Sequence, residues 1–232
     1  LFRHITDLVE KHHARRFFIV DDLFGQFRSE ALRLCNLLAD YQDAIGIRLE
    51  LTVQIRLDKA KDTELLTAMR RAGVASVCIG FESPIADELK AMEKHLKPED
   101  MVAQARLYKD AGFHVHGMFI FGYPLPAGVE FKMPLNQRVR HFRRFIRQAR
   151  LDTVQVLLPV PLPGTEMTQR LKEQGRLFPI DVIGWEYYDG NFPIFKPDPP
   201  VTPAQLHEAG KKIMGRFYNF NYMFEVGFRT IL

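Results

Sequence analysis

Glu82 and Ser83 stand side by side at the end of an apolar run, in Gly80-Phe81-Glu82-Ser83-Pro84. A carboxylate and a hydroxyl so placed can accept hydrogen bonds from a pair of ribose hydroxyls, and Gly80 permits close approach of a ligand. A solvated loop carboxylate is the bland reading of the same residue. Two further acids, Asp21 and Asp22, close the run Phe17-Phe18-Ile19-Val20. Gln54 and Arg56 close another run, Gly122 a third, and Leu158 leads a fourth into Pro159-Val160-Pro161-Leu162-Pro163-Gly164-Thr165. Prolines fix φ and remove backbone donors, so that last exit offers carbonyls and apolar walls to a flat ligand such as a purine.

Five apolar runs, at 17–22, 49–55, 76–81, 115–121 and 153–158, alternate with helix-like segments. Near-continuous apolar strands are what a parallel sheet buried on both faces requires. In such β/α repeats chemistry collects beyond the carboxyl ends of the strands, where all the residues just named fall. Ser29 is expected to cap a helix whose stripe is Ala31, Leu32, Leu34, Leu37 and Leu38. A helix over 62–72 ends at Gly73, one from Pro98 ends near Gly112, and one over 166–175 follows Thr165. Thr202 caps a last helix with Pro203 in its first turn.

Arg138, Arg140, Arg143, Arg144, Arg147 and Arg150 lie in thirteen residues without an acid, interleaved with Val139, Phe142, Phe145, Ile146 and Ala149. At about 100° per residue five of the six arginines share one side and the apolar set the other. That describes an outer helix with a solvated basic face, and no aromatic residue shares the face as nucleic acid stacking would need. The segment 123–137, with three prolines and a glycine, is long for a β/α connection and is a candidate lid.

Composition is that of an ordinary globular protein, 47% hydrophobic and 26% charged, with a formal charge of +4 that argues against a nucleic acid partner. No apolar stretch is long enough for a transmembrane helix and no signal peptide is evident, so the expectation is cytoplasmic. Cys35 and Cys78 are too few for a disulfide framework and read as small buried residues rather than reactive thiols. His114 and His116 share a strand face at metal-ligand spacing, but they fall at the start of the strand, on the side of such folds that carries stability. The chain begins with Leu1 in a helical pattern, and 217–232 is aromatic and ends without a capping signal; both are expected to be cut ends.

Taken in order, Phe18-Ile19-Val20-Asp21-Asp22-Leu23-Phe24, Ile79-Gly80-Phe81-Glu82-Ser83, Gly117-Met118-Phe119-Ile120-Phe121-Gly122, Pro163-Gly164-Thr165 and Trp185-Glu186-Tyr187-Tyr188-Asp189 resemble the radical S-adenosylmethionine superfamily, in particular its cobalamin-associated members. The resemblance covers most of the chain. It implies an α/β fold, a partial TIM-type barrel of six β/α units, here lacking its first strand and spanning residues 1–178, with a helical extension over 179–232. It further implies S-adenosylmethionine, a 4Fe-4S cluster whose CxxxCxxC loop is not in this sequence, an external electron donor, and cobalamin in the parent protein. Without the cluster loop the chain by itself is expected to be inactive, and the open edge of its first strand is an aggregation hazard.

By the same resemblance Asp21 or Asp22 meets the methionine ammonium, and Gln54 or Arg56 its carboxylate. Glu82, with Ser83, holds the ribose hydroxyls. Ile120 and Gly122 pack on adenine, as does the exit from Leu158 to Pro161. The sequence departs from the family after Gly122, where Tyr123-Pro124-Leu125 replaces a proline, glycine and acid. The aromatics at 185–188 are expected to cap the barrel mouth. Two other readings remain open: a phosphate-binding acid–base barrel using Asp22 and Glu82, which the prolines of the last exit disfavour, and a noncatalytic module binding through its arginine helix.

Overall fold

The structure is a computed structural model and describes residues 1–126, 128–130, 132–218, 220 and 224. Strands β1 (Arg16–Phe24), β2 (Glu50–Ile55), β3 (Val74–Glu82), β4 (His114–Ile120) and β5 (Thr153–Leu157) form one sheet in the order β1-β2-β3-β4-β5. The pairs β1–β2 and β2–β3 are parallel. Sequential order with helical crossovers is the β/α repeat that the apolar runs predict. The helices are α1 (Phe2–His12), α2 (Arg28–Ile45), α3 (Thr63–Arg71), α4 (Ala86–Ala91), α5 (Pro98–Asp110), α6 (Leu135–Gln148), α7 (Glu166–Glu173), α8 (Ile180–Ile183) and α9 (Pro203–Phe217). Among the described residues no helix is long and apolar enough to cross a membrane.

Contacts divide the chain into two compact units. One comprises Leu1–Phe81, Glu99–Gly117 and Ala149–Thr153, the other Glu82–Pro98, Met118–Gln148 and Val154–Leu232.

In the first unit Val53 of β2, Val77 and Ile79 of β3, Leu65 and Met69 of α3 and Tyr108 of α5 are fully buried, so both strands and helices contribute to its core. Ser29 is not a cap. It lies within α2, whose N-cap is Phe27, and the neighbouring Arg28 instead reaches Asp62 and Glu64 at the start of α3. The buried stripe of α2 is also shifted from the one expected, to Ala31, Cys35, Leu38, Ala39 and Gln42, leaving Leu37 39% exposed. Gln42 explains the shift. Its amide donates to the carbonyls of Leu38 and Ala72 and its oxygen accepts from the Leu49 N–H, joining α2 to the end of α3 and the start of β2. Gly73, at φ +89°, has no room for a side chain, since a Cβ would stand 2.3 Å from the Leu49 carbonyl oxygen.

In the second unit α6 buries Val139, Phe142, Phe145 and Ile146, as its sequence period predicts, and packs against α9. Edge-to-face contacts of Phe119 with Phe142 and Phe145, and of Phe121 with Phe142, attach it to the end of β4. The expected capping box opens α9, with Thr202 and Gln205 exchanging hydrogen bonds. The Tyr218 hydroxyl holds both backbone groups of Val154. The remainder of the aromatic 217–232 segment lies, but for Phe220 and Phe224, outside the described residues.

Candidate functional site

The second unit holds the most developed part of the site. β3 ends at Glu82, whose backbone lies in the left-handed region at φ +60°. A non-glycine residue there costs about 1–2 kcal/mol, so its surroundings must hold it. The Glu82 carboxylate pairs with Lys94 at 3.1 Å and keeps 19% of its side chain exposed. Behind it Ser83 is fully buried. The Ser83 hydroxyl accepts from the Ile85 N–H at 3.0 Å and donates to the carboxylate of Glu88. Glu88 is itself fully buried and accepts from Arg138 of α6, through Nη2 and through Nε at 3.1 Å. Burial pushes the Glu88 carboxyl above its ordinary value, an effect that the Arg138 charge and the Ser83 hydroxyl oppose.

Arg138 is the arginine that falls outside the basic face of α6, and only 2% of it is exposed. Its guanidinium also lies 5.2 Å from the Phe121 ring centroid, a cation–π contact at the residue that precedes Gly122. Sequence reasoning missed this buried pair. The available signal was the projection of α6, which sets Arg138 among the apolar side chains; nothing local indicates Glu88, fifty positions earlier, as its partner.

At the end of β4, Ile120 is half-buried and Phe121 donates its N–H to the Leu157 carbonyl at 2.8 Å. Gly122 is buried at φ +84°, and Leu206 of α9 lies against it. At the end of β5, Leu158 is buried and its N–H donates to the Gly190 carbonyl at 2.7 Å, while Pro161 is buried. The C-terminal extension therefore packs directly on both exits. The candidate lid is tied down at its start: Leu125 is buried and donates its N–H to Asp198, and the Pro124 carbonyl accepts from Arg170. Within the extension Trp185 stacks tilted on Tyr188, and Tyr187, Phe192 and His207 form a chain of ring contacts.

In the first unit the acids do not close a regular strand. β1 runs on to Phe24, and its register against β2 slips between Ile19 and Phe24, where five steps on β1 match two on β2. This irregularity carries Asp21 and Asp22, both exposed. Asp21 accepts from the Leu23 N–H at 3.3 Å and lines a cleft of ≈ 580 Å³ with Phe2, Phe24, Phe27, Glu30 and Leu34. Gln54 is half-buried in β2. Arg56 is exposed and forked onto Asp58 at 2.7 and 3.1 Å, while its carbonyl accepts from the buried Tyr108 hydroxyl. His116 bonds Thr153 Oγ1 through Nδ1 at 2.8 Å.

An iron–sulfur cluster requires several thiolate ligands. Cys35 lies in α2 and Cys78 in β3, both buried. Burial pushes the Cys35 thiol up to about 12 and raises that of Cys78, so both stay protonated. No group of three or more His, Cys, Asp or Glu that could hold a metal ion occurs among the described residues. This chain's own residues do not fit a cluster.

No protein-family profile matches the chain. It is 31% identical over 163 residues to the hopanoid C-2 methylase of Rhodopseudomonas palustris, a match covering 69% of this chain and 29% of that protein. It is 23% identical over 194 residues to the anaerobic magnesium-protoporphyrin IX monomethyl ester cyclase of Rubrivivax gelatinosus, covering 84% of this chain and 32% of that one. Among solved structures, the radical S-adenosylmethionine methyltransferase TsrM from Kitasatospora setae, with cobalamin and a [4Fe-4S] cluster bound, superimposes with a TM-score of 0.59 at 16% identity. That superposition covers 90% of this chain and 41% of TsrM. The chain spans about a third of the length of the curated relatives it matches.

The fold is thus that of the radical S-adenosylmethionine enzymes, a parallel β/α core with a helical extension. In sequence the chain is similar to the hopanoid C-2 methylase, and in fold to the cobalamin-bound TsrM.

Proposed function

We propose that this chain is the S-adenosylmethionine-binding core of a radical enzyme, one that cleaves S-adenosylmethionine reductively for hydrogen abstraction or cobalamin-dependent methyl transfer. The observation that carries the reading is Glu82, held in a strained conformation at the β3 exit with its carboxylate partly open to solvent. Methylases and a cyclase among the relatives support the reaction class, and none favours the acid–base barrel.

In this reading Glu82 accepts from the ribose hydroxyls; Ser83, expected beside it on the ribose, is fully buried with its hydroxyl engaged by Glu88 and the Ile85 N–H and does not reach the ligand. Ile120 and Gly122 border the adenine from β4, and Leu158 and Pro161 from β5. Asp21 or Asp22 accepts from the methionine ammonium, and Gln54 or Arg56 donates to its carboxylate. A 4Fe-4S cluster would supply the electron that cleaves S-adenosylmethionine, on thiolates other than Cys35 and Cys78. We further propose residues 1–178 as the barrel portion and 179–232 as the extension, a small-molecule substrate, an external one-electron donor and a cytoplasmic setting.

The test is calorimetric titration of S-adenosylmethionine into the chain and into Glu82→Ala. The expected loss is about tenfold or more in affinity, the equivalent of one charged hydrogen bond at about 1.5 kcal/mol. Equal affinity in the two proteins overturns the ribose assignment.

A further inference from the structure

The second unit contains an ion pair that the proposed chemistry does not use. Glu88 is fully buried and Arg138 nearly so, and a buried pair of this kind returns little stability, because desolvation consumes most of the Coulombic gain. Replacing such pairs with apolar residues of similar size is often neutral or stabilising. The connections of this pair are more informative than its strength. Glu88 holds the Ser83 hydroxyl, which also receives the Ile85 N–H and so fixes the turn that follows Glu82. Arg138 lies over the Phe121 ring, one residue before Gly122. One salt bridge therefore touches the exits of both β3 and β4.

We propose that Glu88 and Arg138 are positioning residues for the nucleoside: through Ser83 they keep Glu82 in its left-handed conformation, and through Phe121 they set the β4 exit in fixed relation to it. The inference rests on the ribose reading of Glu82. It adds two residues that touch no ligand. The strain at Glu82 requires an external support, since an unsupported glutamate relaxes to an ordinary conformation and its carboxylate turns with it. Ser83 alone is a weak support, because a hydroxyl rotates to suit its partners. Fixed on a carboxylate that is itself gripped by a two-donor guanidinium fork, the hydroxyl has a single direction. A van der Waals contact at the same place would fill the volume without setting that direction.

The experiment compares the full chain with Glu82→Ala and with the double variant Glu88→Leu plus Arg138→Met, which exchanges the pair for apolar side chains while keeping the volume filled. Each protein is titrated with S-adenosylhomocysteine and with its 2′-deoxyribose analogue, and thermal unfolding is recorded in parallel. The parent is expected to prefer the ribose form by about tenfold or more, the worth of one hydrogen bond to a charged group. Glu82→Ala is expected to abolish that preference. The apolar double variant is expected to abolish it too while its unfolding midpoint stays at or above the parent's, and adding Glu82→Ala to it is expected to cost nothing further. A purely structural pair would leave the preference intact in the double variant. If Glu82→Ala loses the preference and the apolar variant keeps it, the positioning role is overturned and the ribose reading stands. If the parent shows no preference, or Glu82→Ala retains it, the ribose reading falls and this inference with it. Should the double variant fail to fold, Arg138→Lys, which keeps the charge and removes the fork, is expected to reduce the preference; an unchanged preference there overturns the proposal.

Discussion

Leu206 of α9 lies so close to the Cα of Gly122 that a Cβ on residue 122 would stand 2.4 Å from Leu206 Cδ1. Gly122 is therefore required twice, once by its φ of +84° and once by the helix packed on it. Gly122→Ala is expected to cost about 1–2 kcal/mol for the left-handed backbone and a comparable amount for overpacking. Adding Leu206→Ala relieves the second part only. Urea unfolding of the single and double variants measures this, and a neutral Gly122→Ala would mean that α9 does not close on the β4 exit.

Asp152 anchors the opposite end of β4. It is buried, accepts from Lys109 Nζ at 2.6 and 2.7 Å and from the Val115 N–H at 2.7 Å. Asp152→Ala leaves a mostly buried ammonium and a strand N–H without partners. Breaking a buried pair in this way costs about 3–5 kcal/mol. A chemical denaturation midpoint within experimental error of the parent's would show that Lys109 escapes to solvent in the variant.

These residues also show what sequence can and cannot carry. The five strands and the capped α9 follow from local signals, namely apolar runs, glycine at helix ends and the Thr202–Gln205 box, and the structure contains all of them. The strand exits are legible for the same reason. The partners within those exits are not. Ser83 turns inward to Glu88 rather than to solvent, Arg138 meets Glu88 from fifty positions away, and Gln42 joins three elements; each choice depends on packing that no local pattern encodes. The slip in β1 is of the same kind, because register is a property of two strands and Phe17 to Asp22 shows only one.

Asp62 links two helices. It is the N-cap of α3, accepting from the Leu65 N–H, and it receives the Arg28 guanidinium of α2. The Arg28 hydrogen bond, reinforced by the Leu65 N–H, holds its carboxyl below the ordinary 3.8. A depressed carboxylate contributes stability that is present above its unfolded value and is lost as pH falls through the folded one. Asp62→Ala is expected to cost about 1 kcal/mol at neutral pH and to show a smaller loss of stability on acidification below 3.8 than the parent. Parallel acid titrations of both proteins by circular dichroism check the slope.

Cys35 and Cys78 are expected to be silent in the native protein. Burial raises both thiols, Cys35 to about 12, so almost no thiolate forms at pH 8 and neither sulfur is open to a reagent. An aromatic disulfide reagent is expected to detect no fast thiol in the folded chain and two after denaturation. A thiol that reacts within seconds in the native chain would contradict their placement inside α2 and β3.

His116 gives the stability of the first unit a pH dependence near neutrality. Its ring is partly buried beside Thr153, and desolvation lowers its value below the ordinary 6.5. The folded protein holds this imidazole neutral, while the unfolded chain protonates it freely below about 6.5. Acid therefore favours the unfolded state: the contribution is complete above the unfolded value and is lost as pH falls from there through the folded one. His116→Gln, which keeps a polar partner for Thr153 and cannot titrate, is expected to flatten the slope of unfolding free energy between pH 7 and pH 5, a window about two units wide around the unperturbed value. Equal slopes in parent and variant would place the titrating group elsewhere.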